Sequence, residues 1–116
     1  MTGRNTYQTS PFVCDMSAIE PDQRGPHIAT LHEIFQSVQA IRELPEGYAF
    51  RLPNEPDLLR KVVEFILKER LCCPFFGFTV KLEPEGGPLW LCLTGREGVK
   101  PFIKAEIGEA LKERIP

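Results

Sequence analysis

The chain has no run of basic residues, and no helix-length stretch carries lysine or arginine along one face. With a formal net charge of -2, it lacks the electrostatic footprint of a nucleic-acid binder, so no nucleic-acid partner is expected. No apolar run approaches the roughly 20 residues that a bilayer span needs, so no membrane partner is expected either. Met1 to Ser10 is polar and lacks the apolar centre of a signal peptide, which points to the cytoplasm. Histidine is scarce, at 2 residues, and His27 and His32 stand five apart rather than at the four-residue spacing of a helical metal pair. There is no Cys-x-x-Cys, and no Gly-Lys-Ser/Thr order of a phosphate loop.

What remains is ordinary globular material: 116 residues, 42% hydrophobic and 26% charged. A chain of this size forms one domain and buries roughly two-thirds of its unfolded surface, so folding needs neither metal nor disulfide. Residues 1–11 read as a flexible lead and 12–116 as a single α+β domain. In a reducing cytoplasm the four cysteines are expected to be unpaired, unless they bind metal or do redox chemistry.

Hydrophobic periodicity gives the elements. Pro21 to Pro26 reads as a turn region. A helix follows over about 26–39, with Ile28, Leu31, Phe35 and Val38 as its inward stripe. Residues 39–44 and 48–52 form a hairpin around Pro45-Glu46-Gly47, since Tyr48, Phe50 and Leu52 alternate with Ala49 and Arg51. The clearest helix has Leu58, Leu59, Val62, Val63, Phe65 and Ile66 on one face. Asn54 is its expected cap, Pro56 and Asp57 lie in its first turn, and Pro74 forbids its continuation. A second hairpin follows, with Phe76, Phe78, Val80 and Leu82 alternating before Glu85-Gly86-Gly87-Pro88, and Leu89, Leu91 and Leu93 after it. The last helix spans about 98–113. The fold expected is an α+β two-layer sandwich: a four-stranded antiparallel sheet from two hairpins, with three helices, in the order α-ββ-α-ββ-α. The far sheet face would carry Ala49, Arg51, Thr79, Lys81, Trp90 and Cys92.

The chemistry centres on Cys72-Cys73-Pro74. A residue before proline leaves helical geometry, so the two side chains are expected to point apart, one toward the core and one outward. The sharpest reading is a thiol-dependent soft-metal site of Cys14, Cys72 and Cys73, taking zinc or another thiophilic ion, with His27, His32 or Asp15 as a fourth ligand. The alternative is a non-enzymatic homodimer through the sheet face around Trp90 and Cys92. An enzyme would draw on Cys14, Asp15 and His32 as nucleophile, orienter and base, and no catalytic residue is assigned. A helix C-terminus is the negative end of the dipole and disfavours a thiolate at Cys72 or Cys73. A Cys72–Cys73 disulfide would need a strained eight-membered ring. Glu69 and Arg70 read as a solvated ion pair or as packing on the hairpin, and Thr94 to Lys100 as a plain helix start.

Glu69-Arg70-Leu71-Cys72-Cys73-Pro74-Phe75, the run Leu93 to Lys100, Cys14-Asp15-Met16, and Gly47 to Leu52 together resemble a family of small bacterial proteins with no assigned activity. The likeness covers roughly 12–110. It implies a bacterial origin and one compact domain, and it implies no substrate.

Overall fold

The computed structural model describes residues 10–111 and 115–116. A 3-10 turn at Met16–Ala18 leads into α1 (Pro21–Gln36), β1 (Ala40–Leu44), β2 (Gly47–Leu52), α2 (Pro56–Cys72), β3 (Gly77–Leu82), β4 (Leu89–Thr94) and α3 (Val99–Ile107). The order is the expected one, and the class is α+β. The strands form one antiparallel sheet in the order β1-β2-β4-β3, so the second strand of each hairpin lies at the centre. Phe50 stands opposite Leu91 and Leu52 opposite Leu89. Tyr48, Phe50 and Leu52 of β2 and Leu89, Leu91 and Leu93 of β4 are buried. On that face Phe35 of α1 meets Phe50 and Phe65 edge-on, at 5.1 and 5.8 Å between ring centres.

Several element boundaries differ from the sequence reading, among them the end of α1, at Gln36 and not near 39. α1 begins at Pro21, not near Pro26, and Pro26 sits inside it. The carbonyl that would have received the Pro26 N–H is that of Asp22, an exposed residue whose carbonyl water can satisfy. Of the expected stripe, Phe35 and Val38 are buried and Leu31 packs on the core, while Ile28 is exposed; His27 and Ile34 also face inward. α2 is not capped by Asn54, whose side-chain amide instead donates to Gly87 O at 2.7 Å across to the β3–β4 turn. Glu55 stands at the N-cap with Pro56 next. α3 ends at Ile107, with a turn to Leu111, and the expected continuation over 112–113 lies outside the described residues.

Residues 1–9 of the expected lead lie outside the described residues. Ser10 accepts a hydrogen bond from Arg96, and Phe12 packs edge-on against Phe75 at 5.1 Å. No helix among the described residues is long and apolar enough to cross a membrane.

Candidate functional site

The site forms where α2 stops. Pro74 cannot donate a backbone N–H, and Cys73, the residue before it, leaves helical geometry (φ -131°, ψ 69°) at the helix C-cap. Its N–H still closes on Glu69 O at 2.7 Å. The last carbonyls of a helix lack intrahelical partners. That of Cys72 accepts a hydrogen bond from the Asp15 N–H at 2.9 Å. This one backbone bond lays the N-terminal segment across the end of α2. Phe12 anchors the segment on one side, wedged against Phe75 and Phe102. Ile19, 3% exposed, anchors it on the other. Gly98 makes room for Phe12: its φ is 99°, and a Cβ there would stand 2.8 Å from the Phe12 ring.

Cys14 is thereby brought to Cys72 and Cys73, and one ligand atom from each of the three lies within 4.8 Å of the others. The expectation that Cys72 and Cys73 diverge is overturned. Both are fully buried, and their sulfurs lie 3.9 Å apart. All four cysteines are unpaired.

Of the neighbours, His27 was among the expected fourth ligands, but Glu69 was missed. Glu69 is not a solvated partner of Arg70; it is 1% exposed, and His27 is 3% exposed. His27 Nε2 and Glu69 Oε1 are 2.8 Å apart, linking α1 to α2. The His27 ring stacks on Phe65 at 5.5 Å and 11°. Cys72 Sγ stands 3.5 Å from the same Glu69 oxygen, so His27, Glu69 and Cys72 form a second donor group sharing Cys72 with the first. His27 Nδ1 and Glu69 Oε2 are buried without a hydrogen-bond partner among the described residues. The available signal was spacing: His27 stands seven residues before the buried Ile34, on the same face of α1. Glu69 stands seven residues after Val62 and three before Cys72, on α2's buried stripe.

His32 and Asp15 lie in neither group. Asp15 is exposed, and its carboxylate accepts the Ser17 N–H at 3.1 Å, capping the 3-10 turn. Cys14, Asp15 and His32 are therefore not assembled as a triad. Trp90, expected to mark a bare sheet face, is 8% exposed and lies under the Arg42 guanidinium, 4.6 Å from its ring centre. Cys92 is half-buried on that face, where burial raises its pKa.

The electrostatics separate the three thiols. Hydrogen bonding with Cys73, then with His27 and Cys14, outweighs burial and the Glu69 carboxylate, and brings the Cys72 thiol down to about 6. The helix-end penalty is thus overcome by side chains from outside the helix. Cys14 is pushed up to about 12 by burial and by Cys72 beside it. Cys73 is held protonated by its hydrogen bond to Cys72 and by burial. Burial alone would lower His27, but Cys72 and Glu69 more than offset it and raise the imidazole to about 9.

The sulfur spacing suits a shared ion. Two sulfurs each about 2.3 Å from one zinc stand roughly 3.8–4.0 Å apart at tetrahedral or trigonal angles, against 3.9 Å between Cys72 and Cys73. Adjacency in sequence is therefore no obstacle to joint ligation here. A scan against family models and searches of curated proteins and solved structures match nothing to this chain.

Proposed function

We propose that this chain binds a thiophilic metal ion through Cys14, Cys72 and Cys73, as an accessory in metal handling. The observation that carries this reading is the convergence of three unpaired sulfurs, from the N-terminal segment and the end of α2, within 4.8 Å. Nothing in folding alone calls for it, since a chain of this size needs no such cluster to build a core. His27 and Glu69 stand beside the sulfurs with unsatisfied buried atoms, so one of them supplies a fourth donor or takes up the protons that the thiols lose on binding. His32, expected as a fourth ligand, gives way to His27. Zinc and copper(I) are the ions that such a donor set favours. The reading places the protein in a reducing cytoplasm, and the motif likeness to small bacterial proteins belongs with it. The homodimer reading lacks comparable support, because its marker Trp90 is covered by Arg42.

The test is titration of metal-free protein with zinc and with copper(I) under reducing conditions. Wild type and Cys92→Ser should bind one ion per chain. Cys72→Ser and Cys73→Ser should lose binding by at least tenfold while keeping their circular dichroism. Equal affinity in wild type and Cys72→Ser would overturn the assignment.

A further inference from the structure

The same geometry bears on a different reaction, one that does not depend on whether the sulfurs hold an ion. We propose that Cys14 and Cys72 are a disulfide-forming pair that reduces a hydroperoxide. The Asp15 N–H to Cys72 O bond joins the two backbones beside these residues. The ligand sulfurs already lie within 4.8 Å, so bond formation needs side-chain rotation and little backbone movement. The competing Cys72–Cys73 bond closes a strained ring across a single peptide link, and it would have to form at a helix C-cap whose N–H is already bonded to Glu69 O.

Access favours the same pair. Cys72 and Cys73 are fully buried, whereas Cys14 is half-buried. A small hydroperoxide that reaches Cys72 has to pass Cys14, the more exposed of the three. In the first step the Cys72 sulfur attacks the peroxide. An S–O bond forms, the O–O bond breaks, and the departing alkoxide takes the thiol proton, giving a sulfenic acid and an alcohol. In the second step the Cys14 sulfur displaces the sulfenic hydroxyl, which leaves with the Cys14 proton as water. The two thiols supply two electrons, and one hydroperoxide is consumed per disulfide. A Cys14–Cys72 bond would also remove two of the three sulfurs proposed as ligands, so oxidation would expel a bound ion.

The experiment uses metal-free, fully reduced protein and one equivalent of cumene hydroperoxide, followed by non-reducing peptide mapping. The expected result is a mass loss of two hydrogens, a Cys14–Cys72 cross-link, and one equivalent of cumyl alcohol. Cys14→Ser should form no intrachain link and should instead carry a dimedone-trapped sulfenic acid on Cys72. The wild-type map stands on its own if that variant fails to fold. Four free thiols after treatment, or a cross-link involving Cys73 or Cys92, would overturn the proposal. Because no metal is present, either result leaves the ion-binding question separately answerable.

Discussion

Removing the Glu69 carboxylate should be the most damaging single polar change in the molecule. His27 is 3% exposed, is held 2.8 Å from Glu69 Oε1, and is stacked on Phe65. It therefore cannot turn toward water when its partner is lost. Truncating one member of a buried pair costs about 3–5 kcal/mol, because the survivor keeps its desolvation penalty. Against a total stability of about 5–15 kcal/mol, that is a large share. Glu69→Gln keeps the shape and one acceptor and should cost only about 1–2 kcal/mol, the difference between a charge-assisted and a neutral hydrogen bond. Urea unfolding of metal-free protein at pH 7 measures both. With a slope of about 1.5–2 kcal/mol per molar, Glu69→Ala should lower the midpoint by roughly 1.5–3 M. The double change His27→Leu with Glu69→Leu should recover much of the loss, since no buried polar group is then left unpaired. A Glu69→Ala cost of about 0.5 kcal/mol, the level of an exposed surface change, would refute the account of a buried, mutually dependent pair.

Three further outcomes follow from particular contacts. Cys14, raised to about 12, and Cys73, also raised, hold their protons in the folded chain above the pH near 9 where unfolded thiols ionise. Their contribution is therefore fully present below about pH 9 and lost as pH rises beyond it; metal-free wild type should weaken between pH 9 and 11 more than the Cys14→Ser, Cys73→Ser double variant does. Gly98→Ala puts a side chain at φ 99° and against the Phe12 ring. It should cost about 1–3 kcal/mol, and Cys14 should become faster to alkylate as its segment lifts. Asn54→Ala removes the 2.7 Å bond to Gly87 O and should cost about 0.5–1.5 kcal/mol by thermal melting, with helix content unchanged because Asn54 does not cap α2.

The sheet and its helices were legible because their signals are local. Alternation at Tyr48-Phe50-Leu52 and Leu89-Leu91-Leu93, and the apolar face of α2, each lie within one element. The errors fell where a non-local contact decided the outcome. Asn54 had the right chemistry for a cap, but a carbonyl from the β3–β4 turn claimed it. Pro26 looked like a helix start because the cost of an internal proline depends on whether water reaches the Asp22 carbonyl. At the site, the residue types were visible in Cys14, Cys72 and Cys73, but their convergence was not. It rests on one backbone bond between Asp15 and Cys72 and on the burial of Phe12 against Phe75 and Phe102, neither of which has a periodic signature. Glu69 was misread for the same reason: a charged residue beside an arginine looks solvated until the helix phase of α1 delivers His27 to it.

X-ray absorption at the metal edge, on protein loaded with one equivalent of zinc, tests the central claim most directly. The account predicts three sulfur scatterers at about 2.3 Å with one lighter nitrogen or oxygen neighbour at about 2.0–2.1 Å, and the loss of one sulfur in Cys14→Ser. A shell of nitrogen and oxygen alone, or an unchanged sulfur count in Cys14→Ser, would contradict it.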